Sequence, residues 1–208
     1  DRAAAQAVWR PFVDAGGVGF GEESLLVGFN MLSEQGLDDL AVEVAERALR
    51  EDQQPLAACI LLFGLHQQRG DLDAAEQALE RMELRAEPGA PERLDLAEAW
   101  ERMGRLDRAI DVLEGVVDAR GRDESGEDLA MHLAWLYSEV GDEEQALAEW
   151  RELWLRVNSV ARRRYVEDRM MTVAARLGSL ADIAIDLETK LIDGVANERE
   201  AGLLVRLY

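Results

Sequence analysis

Gly70-Asp71-Leu72-Asp73-Ala74-Ala75 decides the reading of this chain, because versions of it occur at four other places. Gly36-Leu37-Asp38-Asp39-Leu40-Ala41 precedes it, and related strings run from Gly104 to Ala109, Gly141 to Ala146 and Gly178 to Ile183. Each is a glycine followed five residues later by a small or aliphatic residue, with helical periodicity on both sides, so each reads as the turn of a helical hairpin. Successive glycines lie 34, 34, 37 and 37 residues apart. A period of this size is the signature of stacked helical repeats rather than of a globule with one active-site cleft.

Composition agrees with folded amphipathic helices. Of 208 residues, 48% are apolar and 32% charged, with four prolines, which argues against a disordered chain. Basic residues number 23 against 43 acidic ones, a net charge of −20. A surface this negative repels phosphate backbones and anionic lipids, so nucleic acid and membrane surfaces are poor partners and basic protein segments good ones. Cys59 is the single cysteine, which rules out an internal disulfide or a cysteine-based metal site. The longest apolar run, Leu56 to Leu65, is about half of the roughly 20 residues that span a bilayer. No targeting leader is recognisable, which leaves the compartment unread.

Each repeat can be numbered so that its turn glycine is position 15, starting at Glu22. Positions 4, 7, 8 and 11 then share one face of the first helix. They are Leu25, Gly28, Phe29 and Leu32; Cys59, Leu62, Phe63 and His66; Arg93, Leu96, Ala97 and Trp100; Ala130, Leu133, Ala134 and Tyr137; and Glu167, Met170, Met171 and Ala174. In the second helix, positions 20, 24 and 27 read Ala41, Ala45, Ala48; Ala75, Leu79, Met82; Ala109, Leu113, Val116; Ala146, Trp150, Leu153; and Ile183, Leu187, Lys190. A small residue at position 20 allows two helix backbones to approach closely at their crossing.

With these residues aligned, the chain from about Glu22 to Ile192 resembles the tetratricopeptide repeat family. The likeness lies in the turn, in Ala41, Ala75, Ala109 and Ala146, in Leu62, Leu96 and Leu133, and in Trp100 and Tyr137. Phe29 and Phe63 are large where the family has a small residue, Arg93 and Glu167 are charged at position 4, Pro55 and Pro88 lie slightly late, and Lys190 occupies a packing position. The resemblance implies an all-α fold, a right-handed superhelical solenoid of antiparallel helix hairpins. Residues 1–21 are expected to hold a partial helix of a preceding repeat and a glycine-rich connector. Residues 22–192 form five repeats, and residues 193–208 the first helix of an incomplete sixth, with Glu198 at position 1 and Ala201, Leu204, Val205 and Tyr208 at its packing positions. The next turn glycine is due beyond Tyr208, so the chain reads as a piece of a longer array. Pro11 is expected to end or kink the helix at Arg10. The longer spacings imply insertions at Asp118 to Asp128 and near Leu155 to Arg164.

The resemblance also implies a concave face made by the first helices, suited to an extended peptide or a partner helix. Carried onto this sequence, the positions that line it are Leu26, Asn30 and Glu34; Ile60, Gly64 and Gln67; Leu94, Glu98 and Glu101; Met131, Trp135 and Ser138; and Tyr165, Asp168, Thr172 and Arg176. Trp135 reads either as a binding anchor or as a ring packed against the neighbouring repeat. Clamping of a terminal carboxylate, known in the family, is not expected, because Leu26 and Leu61 stand where lysine and asparagine are wanted.

Chemistry of other kinds finds little support. Ala15-Gly16-Gly17-Val18-Gly19-Phe20-Gly21 lacks the strand, lysine and hydroxyl residue of a phosphate loop and reads as a connector. His66 reads as a core residue and His132 as one near a helix interface, neither having a partner at metal-ligand spacing. Asp123-Glu124-Ser125-Gly126-Glu127-Asp128 lacks the pattern of a calcium hand and reads as a solvated linker. Arg162-Arg163-Arg164 reads as a solvated helix end, with partner docking as its alternative. No nucleophile with a matching base is visible, and no cofactor or metal is expected. The sequence thus predicts a non-enzymatic protein-interaction scaffold within a larger protein. Its alternative is a structural spacer that self-associates through the incomplete terminal repeats.

Overall fold

The computed structural model describes residues 2–14, 22–52, 54–120 and 126–208. The glycine-rich connector and residues 121–125 of the acidic linker lie outside them. The described residues form twelve α-helices and no strand. The chain divides into two compact units, Asp1–Arg105 and Leu106–Tyr208. The first holds α1 (Arg2–Asp14), α2 (Glu22–Glu34), α3 (Asp38–Arg50), α4 (Pro55–Arg69), α5 (Leu72–Glu83) and α6 (Glu92–Arg102). The second holds α7 (Leu106–Arg120), α8 (Glu127–Val140), α9 (Glu143–Arg156), α10 (Val160–Arg176), α11 (Leu180–Ile192) and α12 (Glu198–Leu207).

The turns follow from one hydrogen-bonding device used five times. Gly36, Gly70, Gly104, Gly141 and Gly178 all have φ between +68° and +84°, the left-handed region that favours glycine. The amide after each glycine reaches back to the carbonyl at position 11: Leu37 to Leu32, Asp71 to His66, Arg105 to Trp100, Asp142 to Tyr137 and Ser179 to Ala174, at 2.8–2.9 Å. This Schellman closure satisfies a carbonyl that the helix end would otherwise leave free. In two repeats the residue after the glycine also caps the next helix, Asp71 accepting from the Ala74 amide and Asp142 from the Gln145 amide. A Cβ added at Gly70 would meet nothing within 4 Å. Gly70→Ala should therefore destabilise the fold through backbone strain alone, by about 1–2 kcal/mol. Urea unfolding with unchanged native helicity is the measurement that checks it.

Within the units, α2 packs on α3, α4 on α5, α8 on α9 and α10 on α11, and each later hairpin packs on its predecessor through α3 with α4 and α9 with α10. The alanines at position 20, Ala41, Ala75, Ala109 and Ala146, are all fully buried, and Ile183 nearly so. Leu62, Leu79, Met82, Leu96 and Trp100 in the first unit, and Leu113, Leu133 and Trp150 in the second, are among the other fully buried side chains. Cys59 is buried among them, and burial pushes its thiol up to about 11, so it behaves as a small apolar residue with little reactive thiolate. These are antiparallel helix hairpins, and most of the residues at the numbered packing positions of the five repeats are buried, with Arg93, His66, Met171 and Lys190 half-buried.

Two charged residues at packing position 4 are accommodated by hydrogen bonds. The Arg93 guanidinium donates to the carbonyls of Ala86 in the preceding loop and of Glu83 at the end of α5. The buried Glu167 carboxylate accepts from Trp154 Nε1 at 3.1 Å and from Arg206 of α12. Lys190, at position 27, reaches Asp186 and Glu200 at 3.1 and 3.2 Å, and Glu200 also closes a capping box with Asn197 at the start of α12.

Basic residues elsewhere join one repeat to the next. Arg69 pairs with Asp38 and Asp39, Arg81 with Glu46, Arg105 with Glu76, Arg162 with Glu127 and Asp128, and Arg176 with Glu143, all at 2.7–3.5 Å. Each such exposed pair contributes about 0–1 kcal/mol, yet together they fix neighbouring hairpins in register. Arg163 donates to the Asn158 carbonyl, so two arginines of the basic triplet serve the fold.

Pro11 does not end its helix: α1 runs on to Asp14. The reason is external to α1. Arg47 donates to the carbonyls of Val13 and Asp14, Arg10 pairs with Glu43, and Val13 is buried. Of the two longer linkers, the second is absorbed by α10, whose 17 residues begin at Val160, ahead of repeat position 1 at Arg164. α12 begins at Glu198, but of the packing positions expected on it Val205 and Tyr208 are 78% and 84% exposed, and Leu203 is buried beside Leu204 instead.

Candidate partner-binding face

The expected face residues fall on the first helices α2, α4, α6, α8 and α10. Their environments differ between the two units.

In the first unit they are open. Leu26 is 45% and Ile60 37% exposed. Asn30, Glu34 and Glu98 are exposed, while Gly64, Gln67, Leu94 and Glu101 are half-buried. Val27 and Met31, also exposed, add apolar surface along α2. Between α4 and α6 lies a pocket of about 230 Å³ lined by Ile60, Phe63, Leu79, Met82, Asp95, Glu98, Ala99 and Arg102. Ile60 is the apolar side chain open at it, while Phe63 and, from α5, Leu79 and Met82 border it as covered core residues. Its mouth is polar, formed by Asp95, Glu98 and Arg102 on α6. The Arg102 guanidinium carbon sits 5.1 Å from the centroid of the Phe63 ring, a cation–π distance. Phe63, large where the repeat pattern has a small residue, thus supplies both a wall of this pocket and the platform for Arg102.

In the second unit several expected face residues are held by the fold. The Asp168 carboxylate accepts from Arg206, and the Arg176 guanidinium pairs with Glu143. Thr172 and Ser138 donate their hydroxyls to the carbonyls of Asp168 and Ala134 in their own helices. The Tyr165 ring stands edge-on to Trp150 at 6.0 Å, with the Arg169 guanidinium 5.2 Å from its centroid. Met131 and Trp135 are half-buried, the Trp135 ring lying 5.7 Å from that of His132. Trp135 is therefore neither a free anchor nor a core residue. Tyr137, two residues on, donates to Glu114 of α7, and burial together with that carboxylate raises its phenol pKa.

His66 is partly covered, with Nδ1 3.7 Å from an Asp71 carboxylate oxygen at the turn. No group of three or more potential metal ligands occurs among the described residues, and none of their helices is long and apolar enough to cross a membrane.

Asp95 and Arg102 were not among the expected face residues. Arg102 lies four residues after Glu98, a spacing that reads as a helix-surface ion pair. Only the fold shows the guanidinium turned onto Phe63 instead.

No family model matches the chain, and no curated protein does. Solved structures similar to it include YrrB, described as a TPR protein with an unusual peptide-binding site, at TM-score 0.49 and 13% identity, covering 88% of this chain and 83% of that one. MamA has a TM-score of 0.47 and 13% identity, over 86% of this chain and 91% of that one. TTC0263, a thermophilic TPR protein in Thermus thermophilus, has a TM-score of 0.38 and 20% identity, over 90% of this chain and 97% of that one.

Proposed function

We propose that the chain is a protein-interaction scaffold that holds an extended peptide or a partner helix against the first helices of its N-terminal unit, α2, α4 and α6. The observation that carries the reading is the pocket between α4 and α6, in which exposed Ile60 adjoins acidic Asp95 and Glu98. Apolar side chains left open beside a pocket are the usual anchor points of peptide recognition. Leu26, Val27 and Met31 extend that apolar surface along α2. The corresponding residues of α10 are engaged within the chain, which favours the first unit over the second. The face is the one that the repeat pattern expects to be concave.

Selection of a displayed random-peptide library on the whole chain tests the proposal. Peptides recovered this way should lose at least about tenfold in affinity on Ile60→Asp, a loss equal to about 1.4 kcal/mol, and should bind unchanged to Gln77→Asp on the exposed side of α5. Equal binding to Ile60→Asp would contradict the proposed face. Failure to enrich any peptide would favour the spacer reading, in which this face is unused.

A further inference from the structure

The α4/α6 pocket sets the exposed apolar Ile60 beside an acidic mouth. Asp95 and Glu98 are one helical turn apart on α6, both are exposed, and neither joins an ion pair or hydrogen bond among the described residues. This sets them apart from Asp38, Asp39, Glu46 and Glu76 in the same unit, each of which meets an arginine. The nearest cation on α6, Arg102, stands four residues from Glu98 but lies over Phe63. The mouth thus carries two uncommitted carboxylates, in a chain whose net charge is −20.

We infer that this pocket takes one basic side chain of the bound segment, a lysine or an arginine, with its stem against the exposed Ile60 and its cation between Asp95 and Glu98. The inference rests on the reading that the first-helix face of this unit binds a peptide. Lysine and arginine are the side chains that join an apolar stem to a cationic tip, and their two ends match Ile60 and the acidic mouth. A leucine would cover Ile60 but strip water from two carboxylates without replacing it, which is unfavourable. A glutamate or aspartate would meet like charge. The Arg102 guanidinium on Phe63 marks the same pairing of cation with apolar wall, made within the chain.

Methyl-selective NMR on the whole chain tests this with three probes of similar size: the N-acetyl, N-methylamide derivatives of lysine, norleucine and Nε-acetyl-lysine. The lysine compound should shift the Ile60 δ1 methyl resonance and bind about fivefold tighter than the norleucine compound, the effect of two partly screened ion pairs. The combined variant Asp95→Asn, Glu98→Gln should abolish that preference while remaining folded, since both carboxylates are exposed and unpaired. Equal or tighter binding of norleucine, or no shift at this methyl with any probe, would overturn the inference. Library peptides that need Ile60 but carry no basic residue would also overturn it, and would leave the proposed function standing. Lysine-dependent methyl shifts without any enriched peptide would do the reverse.

Discussion

Replacing Trp100 by alanine should lower the stability of the N-terminal unit by about 3–5 kcal/mol, the range for truncating a fully buried aromatic side chain. Trp100 is 0% exposed at the aromatic position of α6. Its carbonyl also accepts the Arg105 amide that closes the turn. The substitution leaves that backbone bond in place, so the loss reports the cavity rather than the turn. Because repeat proteins unfold in parts as well as all at once, helicity in urea is best followed together with amide exchange. Exchange should accelerate in α4, α5 and α6. Trp135→Ala makes the control: its ring is half-buried, and its removal should cost clearly less. A loss below about 1 kcal/mol at Trp100 would contradict the burial on which the hairpin packing depends.

Glu167→Ala should cost about 2–3 kcal/mol, because it leaves the buried Trp154 indole N–H without its acceptor and removes one of the two carboxylates that hold Arg206. Arg206→Ala should cost less, since its side chain is 37% exposed and solvent screens the pair. Glu167→Gln should fall in between: the amide oxygen can still accept from Trp154, while the charge facing Arg206 is gone. The region most affected should be α12, which Arg206 ties to α10, and faster amide exchange from Glu198 to Leu207 in Glu167→Ala is the expected signature. Unchanged exchange there would show that α12 is held by its other contacts, Leu203, Leu204, Glu200 with Lys190 and Arg199 with Leu155 and Asn158.

These two sites also show what could be read from the sequence and what could not. Trp100 was legible. The turn glycines set the numbering, the numbering made position 11 a packing site, and the same logic recovered the position 20 alanines; on α12 it named Val205 and Tyr208, which are exposed, in place of the buried Leu203. Local chemistry was enough, because each hairpin repeats the same turn and the same crossing. Glu167 instead stands as a charged departure from the pattern at position 4. The partners that make it acceptable, Trp154 and Arg206, lie on other helices, and their approach depends on how successive hairpins are rotated. Lys190 with Glu200, and Arg93 with the Ala86 carbonyl, follow the same rule. Pro11 failed as a helix breaker because Arg47, on α3, serves the carbonyls at the end of α1.

The candidate face was legible by halves. The repeat positions named Ile60 and Glu98, which meet at the pocket, but gave equal weight to Asp168, Thr172 and Arg176, whose polar groups are engaged inside the second unit. Asp95 and Arg102 escaped notice because their relation to Phe63 on α4 is set by helix packing rather than by spacing along one helix. The charge imbalance was visible at once, and its distribution was not. Arginines largely join repeat to repeat, which leaves Asp95 and Glu98 as free acids beside open apolar surface.

The most direct measurement is photo-crosslinking of a library-selected peptide to chains carrying benzoylphenylalanine in place of Leu26, Ile60 or Leu94 on the first helices, or of Gln77 on α5. Crosslinks that form at the first three positions and not at Gln77 are the result predicted for a scaffold that binds through its first-helix face. Efficient crosslinking at Gln77 with none at Leu26, Ile60 or Leu94 would contradict it.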